Sequence, residues 1–181
     1  GKLCYATDFG QPAELRQLLS VADVVIESSR PDALVHRGLG PEDVPARDGR
    51  VWLRVTGHGT EGAHAHWVGF GDDAAVSGGL VGSDPAGSGP VFCGDAIADP
   101  LTGMHAALAM AKSLRRGGGE VIEIALAAVA AEYAALPLTG GDCVDPVVEP
   151  MAPVLSSHAR ELGADNAQVR DIVQERASGA C

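Results

Sequence analysis

Aromatic residues make up only 4% of this 181-residue chain, although hydrophobic residues reach 46% and glycine numbers 24. A core built from such material must be aliphatic and closely packed, as in α/β proteins. Positive charge is also scarce: 13 Lys and Arg stand against 24 Asp and Glu, a net charge of −11. A surface of that sign repels a phosphate backbone, so nucleic acid is excluded as a partner, while a local basic cluster can still hold a small anionic ligand. The four cysteines, Cys4, Cys93, Cys143 and Cys181, are far apart and form no C-x-x-C pair. That spacing argues against a zinc site and fits reduced cytosolic thiols. No apolar run approaches the roughly 18 residues of a membrane span, and no signal peptide is visible. A soluble, cytoplasmic protein without a membrane partner is expected. The chain opens on Gly1 and not on methionine, which points to processing or truncation at the front.

Length sets the next bound. A chain of this size fits one domain and can bury about 70% of its unfolded surface. Along it, Leu3–Ala6 reads as a short strand, and the segment from Gln11 to Ser20 carries Leu15, Leu18 and Leu19 at helical spacing after Pro12. Ala22–Glu27 is a β-branched run of the kind buried on both faces of a parallel sheet. Pro41–Ala46 has room for one or two helical turns, and Val51–Thr56 is the next strand. The order β, α, β, α, β predicts an α/β fold with a Rossmann-like, doubly wound, mainly parallel sheet and right-handed crossovers.

From Gly57 to Gly94 the composition is mostly that of loop, interrupted by a possible helix near Asp72–Leu80; loops of that length in compact domains tend to be functional. Pro100–Arg115 is the strongest helix, with Met104, Ala107, Leu108 and Ala111 on one stripe and Lys112 and Arg115 in its last turn, where they suit the helix dipole. Three glycines, Gly117–Gly119, stop it. Glu120–Ala125 alternates like a strand. Leu126–Leu136 is an alanine-rich helix for an interior or an interface. Residues 1–136 are therefore assigned to the α/β domain, 137–154 to a linker and 155–181 to a helical tail with a last helix over Asn166–Glu175.

Gly57-x-Gly59-x-x-Gly62 follows a strand as a dinucleotide fingerprint would. That fingerprint needs a helix opening beneath the turn and an acidic residue about 20 positions on, to hold the ribose. Neither is present: Ala63–Gly71 has no 3.6-residue apolar period, and Asp72 and Asp73 come too early. The glycine turn belongs to some other site. His58, His64 and His66 have no cysteine or carboxylate set nearby to complete a metal site, and none is predicted.

"CGDAIADPLTGMHAAL", Cys93–Leu108, carries the most chemistry. Asp99 precedes Pro100 and reads as the N-cap of the long helix, either an ordinary cap or a carboxylate held ionised for nucleophilic attack. Gly103, in the first turn, costs about 1 kcal/mol relative to alanine. Its presence suggests a close approach of backbone.

"ADVVIESSRPDALVHRGLG", "RVTGHGTEGAHAHWVGFG", "GDAIADPLTGMHAAL" and "GGGEVIEIAL" resemble, in order and spacing, the class III CoA-transferases, a family that includes formyl-CoA transferase, carnitine CoA-transferase and the α-methylacyl-CoA racemases; the tail from Ala152 to Glu175 resembles the family's closing segment. The resemblance implies that Asp99, opening an Asp-x-x-(Thr/Ala)-Gly pattern that ends at Gly103, attacks an acyl-CoA to give an aspartyl anhydride and then an aspartyl-CoA thioester. A carboxylate can do this because the leaving thiolate is stable, with a thiol pKa around 8.5. Asp95 is the rival nucleophile. Gly57, His58 and Gly59 match the family's glycine loop, although the family usually has an aromatic at His58. Ser28, Ser29, Arg30, His36 and Arg37 match the segment along CoA, where cations suit its phosphates and where a solvated charged surface is the other reading. Gly103 and Met104 form a supporting loop. The implied substrates are an acyl-CoA and a carboxylic acid, with no permanently bound cofactor. Phe70 stands where the racemase branch has histidine, which favours CoA transfer over racemization. Members are about twice as long and form interlaced dimers. The chain lacks the opening strand and the small domain, so a homodimer, a complementing subunit and a non-catalytic CoA-binding subunit all stay open.

Overall fold

The computed structural model describes residues 2–84, 86–137, 151–152, 154–155 and 157–179. They fall into two units, residues 9–136 and residues 1–8 with 137–181. The larger unit is organised around Val51–Thr56, strand β2. Its neighbours are β1 (Val24–Glu27) and, on the other side, β5 (Val121–Ala125), giving a parallel sheet of order β1-β2-β5. Ile26 aligns with Leu53, and Leu53 with Ile122. Val51, Trp52 and Leu53 are almost fully buried, so the central strand is apolar on both faces, as its near-continuous hydrophobic run predicts.

Each face of the sheet has its own core. Trp52 and Val25 pack with Leu19 of helix α1 (Ala13–Val21) and with Leu39 and Val44. Three residues along β2, and therefore on the opposite face, Val55 packs on a cluster of Ala74, Ala75, Ala98, Leu126 and Ala130. That cluster is contributed by α2 (Gly71–Ser77), α3 (Ala98–Arg115) and α4 (Leu126–Ala134). A hairpin, β3 (Val81–Ser83) with β4 (Pro90–Phe92), precedes α3. The mixed α/β fold with a mainly parallel sheet is the one expected, and α4 packs in its interior.

Four local expectations need correction. Leu3–Ala6 joins no ladder; its extended backbone is held by side chains instead. Pro41–Ala46 forms turns, and the helical turn of this connection is a 3₁₀ segment at Val35–Arg37. The region between Gly57 and Gly94 contains the β3–β4 hairpin, too short and glycine-rich to show as alternating strands. Finally, the stripe of α3 that packs is Ala98, Thr102, Ala106 and Ser113, whereas Met104 and Leu108 are more than half exposed. Small residues let this helix lie close to the sheet and its neighbours, and that close approach outweighs the larger apolar area on the other stripe.

In the smaller unit, α5 (Asn166–Ser178) begins beside the extended segment. The Asp165 carboxylate, 2% exposed, accepts the Cys4 N–H at 2.8 Å and pairs with Arg160 at 2.5 Å. Asn166 exchanges two 2.8 Å hydrogen bonds with the backbone of Ala6. No described helix is long and apolar enough to cross a membrane.

Candidate active site

All three parallel strands end at one cleft of about 430 Å³. Ser28, Ser29 and Arg30 follow β1, Thr56 and Gly57 close β2, and Leu126 follows β5. Asp99 reaches it from the first turn of α3. This is the carboxyl end of the sheet, where open α/β folds bind their ligands, because loops there are free to diverge above a rigid scaffold.

Asp99 is placed by a strained turn. Ala96 has a left-handed backbone (φ 45°), uncommon for a residue with a side chain, and the Asp72 carboxylate accepts its N–H at 2.8 Å. Ala96 lies so close to the first residue of α2 that a Cβ on Gly71 would sit 2.5 Å from its carbonyl oxygen. The turn fixes where α3 begins. Ile97 takes the N-cap position, so Asp99 is the second residue of the helix and not its cap, and Pro100 sits where no intrahelical N–H is required. Asp99 is exposed, and its carboxylate makes no hydrogen bond or ion pair among the described residues.

The last residue of β1 supports the segment that lines the cleft. Glu27, 5% exposed, accepts hydrogen bonds from Trp52 Nε1 (2.9 Å), Ser29 Oγ (3.1 Å) and Arg54 Nε (3.4 Å). Arg54 in turn reaches Glu123 at 3.2 Å, and Glu123 accepts the Thr60 hydroxyl at 2.7 Å. This ladder crosses all three strands and anchors the Ser28–Arg30 segment. Gly57 is required for a different reason: a Cβ there would meet the Gly69 Cα at 2.9 Å, which ties the end of β2 to the loop carrying Trp67, Val68 and Phe70.

The cleft thus gathers Ser28, Ser29, Arg30, Gly57 and Asp99 and leaves the other expected residues outside its lining. Arg37 donates to the Ala33 carbonyl at 2.7 Å and lies over the Phe9 ring; His36, beside it on the 3₁₀ turn, is exposed. Gly59 donates to Thr56 Oγ1 at 2.9 Å. His58 lines a neighbouring cavity of about 400 Å³ and meets Trp67 edge-on, with ring centroids 5.9 Å apart. Gly103 has no atom within 4 Å of where its Cβ would stand, so the close approach expected there is absent among the described residues, and Met104 is exposed beside it. Asp95 is exposed and does not line the cleft.

Sequence reasoning missed Trp67 and Val68 as lining residues and gave Phe70 only a negative role. The signal was available, since two aromatics within four positions of each other, shortly after a glycine turn, are conspicuous in a chain with few of them. Among the described residues, no three His, Cys, Asp or Glu side chains gather as a metal-ligand set; His66 pairs with Asp32 at 3.7 Å, and His64 stacks on Trp67 at 4.0 Å.

Comparison with known proteins agrees with this architecture. The model of CoA-transferase family III matches residues 1–150. The chain is 33% identical over 138 residues to the succinate–glutarate CoA-transferase of Agrobacterium fabrum, a match covering 70% of this chain and 34% of that protein. It is 33% identical over 119 residues to the succinyl-CoA–L-malate CoA-transferase beta subunit of Chloroflexus aurantiacus, covering 61% and 29%. A crystal structure of a CAIB/BAIF family protein from Brucella suis superposes with a TM-score of 0.62 at 28% identity, covering 71% of this chain and 36% of that one. The chain spans about a third of the length of the curated relatives it matches.

Proposed function

This chain belongs to CoA-transferase family III, and from that premise we propose that it takes part in moving coenzyme A between carboxylic acids, with Asp99 as nucleophile. The observation that carries the reading is a carboxylate at a helix start with no partner among the described residues, in the cleft where all three parallel strands end, with Arg30 in the same lining as a cation for CoA. In the proposed cycle the Asp99 carboxylate attacks the thioester carbonyl and expels CoA thiolate, leaving a mixed anhydride. The thiolate then attacks the aspartyl carbonyl, giving aspartyl-CoA and releasing the first acid. The acceptor carboxylate repeats both steps in reverse, and the new thioester leaves with Asp99 restored. Asp99 starts and ends this cycle as a free carboxylate.

Racemization, by contrast, needs a group that moves a proton at the acyl α-carbon. No histidine is among the described residues lining the cleft, and Phe70, which cannot exchange a proton, is. A second reading has an observation of its own: one relative is the beta subunit of a CoA-transferase, which favours a chain that binds CoA and works with a complementing subunit.

Intact-protein mass spectrometry after incubation with acyl-CoAs, with and without borohydride, tests the proposal. A CoA or acyl adduct on the wild type that is absent from Asp99→Ala is expected. An adduct that persists in Asp99→Ala would remove the assignment, and CoA binding without any adduct would select the subunit reading.

A further inference from the structure

Any acyl group whose thioester carbon meets Asp99 must lie against the walls of the same cleft. Beyond Ser28, Ser29, Arg30 and Thr56, those walls are apolar: Trp67, Val68 and Phe70 on the loop after the glycine turn, Val55 from β2 and Leu126 from the start of α4. Arg30 is the one cation among the described lining residues. The three loop side chains are 58%, 53% and 70% exposed within four positions of one another. Apolar surface concentrated in this way beside a reactive carboxylate is what an apolar ligand covers.

The wall is also held in shape. His64 stacks on Trp67, His58 meets the same ring edge-on, and the contact of Gly57 with Gly69 clamps the base of the loop. A prearranged wall loses little freedom when an acyl chain packs on it. Trp67 and Val68 also line the second cavity, to which Val76 and Phe92 add further apolar surface. Apolar lining therefore continues past the cleft, beside the polar His58, Asp72, Asp73 and Ser77 that line the same cavity.

We infer that this cleft selects acyl groups with an uncharged aliphatic chain over dicarboxylic ones, with Phe70 and Val68 as the residues that set the preference. The inference rests on the CoA-transfer reading of Asp99. A succinyl group would carry a second carboxylate past Asp99 and onto this apolar wall, with Arg30 the one lining cation to share between it and the CoA phosphates. An aliphatic chain gains by burial, at most about fourfold in affinity per methylene.

Calorimetric titration of the full chain with CoA and with acetyl-, hexanoyl- and succinyl-CoA tests it. Because the cleft is open, hexanoyl-CoA is expected to bind about tenfold tighter than acetyl-CoA and tighter than succinyl-CoA, a part of the full burial value. Phe70→Leu keeps that order, Phe70→Ser flattens it, and Phe70→Arg brings succinyl-CoA ahead, each thioester affinity being read as a ratio to the same variant's affinity for CoA itself. The Phe70 side chain is mostly solvent-exposed, so these variants should fold; matching circular dichroism checks that they do. Equal affinities for acetyl- and hexanoyl-CoA, or tighter succinyl-CoA in the wild type, overturn the inference and leave CoA transfer standing. Failure of the wild type to bind CoA or any thioester overturns the CoA-transfer reading and the inference with it.

Discussion

The Asp72 carboxylate accepts the N–H of Ala96 at 2.8 Å, and this single bond links the first turn of α2 to the turn that launches α3 three residues before Asp99. Removing it should cost about 1 kcal/mol of stability by loss of the hydrogen bond, and more at the site. Asp72→Ala is expected to slow covalent labelling of Asp99 by about a hundredfold, the scale of a 1 Å misplacement, while Asp72→Asn, which keeps an acceptor oxygen, retains most of it. Rates of adduct formation by mass spectrometry compare the two; equal rates for Ala and wild type would refute the role of the link.

Gly71 and Ala96 make the same turn intolerant of volume. A methyl at Gly71 would stand 2.5 Å from the Ala96 carbonyl oxygen, against backbone that cannot swing aside. Gly71→Ala should destabilise by about 1–3 kcal/mol in urea unfolding. Ala96→Gly, which suits the left-handed backbone, should be tolerated, and Ala96→Val, branched at Cβ, should not. A Val variant as stable as wild type would show that the turn carries no strain.

Much of this was legible in the sequence, and the reasons differ by element. Val51–Thr56 announces a central strand because burial on both faces leaves no room for polar alternation, and the glycines of Gly117–Gly119 mark the end of α3 unambiguously. The packed stripe of α3 was not legible. Helical periodicity shows the larger apolar residues, Met104 and Leu108, whereas close packing selected Ala98, Thr102, Ala106 and Ser113. Asp99 was found as a candidate but not its geometry: a turn with Ala96 at positive φ moves the helix start by two residues, and nothing about alanine advertises that conformation. Trp67 and Val68 enter the cleft only because Gly57 and Gly69 touch across 12 residues of chain, a tertiary contact with no local pattern.

Asp84 gives a pH-dependent prediction in the β3–β4 turn. It accepts the Ser88 hydroxyl and, at 2.9 Å, the Ala86 N–H, and the Ser88 bond first, then the Ala86 bond, hold its carboxyl below the ordinary carboxylate range. The folded pKa is depressed, so the stabilisation is present above the unfolded value near 3.9 and is lost as pH falls through the folded one. Chemical shifts of the hairpin amides should therefore stay constant from neutral pH down to about pH 4 and move below it. Asp84→Asn should abolish that low-pH transition; its persistence would assign the titration elsewhere.

Asn166 and Ala6 make a separate prediction for the smaller unit. The side-chain amide donates to and accepts from the same backbone residue, a pairing in place of a β-ladder. Asn166→Asp keeps the acceptor but replaces the donor with a second oxygen facing the Ala6 carbonyl, and Asn166→Ala removes both bonds, each worth about 1 kcal/mol. Hydrogen exchange at Ala6 should accelerate in both variants, more in Ala. Unchanged protection would mean that the Asp165 bond to Cys4 alone secures the segment.

Glu27 and Trp52 connect the stability of the sheet to the shape of the cleft. Buried charges persist in proteins only with partners, and Glu27 has three: the indole N–H, the Ser29 hydroxyl and the Arg54 guanidinium. Glu27→Ala would leave Arg54, itself largely buried, with the exposed Glu123 as its remaining carboxylate, and would strand the Trp52 N–H, so a loss of about 3 kcal/mol is expected. Glu27→Gln keeps an acceptor for the indole and should lose less. The two variants separate a structural role from a positioning one, because Ser29 is held by the same carboxylate and Arg30 follows it. If the ladder positions the cleft, Glu27→Gln should weaken CoA binding at a urea midpoint near that of the wild type; if it only stabilises the sheet, affinity should stay level while the midpoint falls.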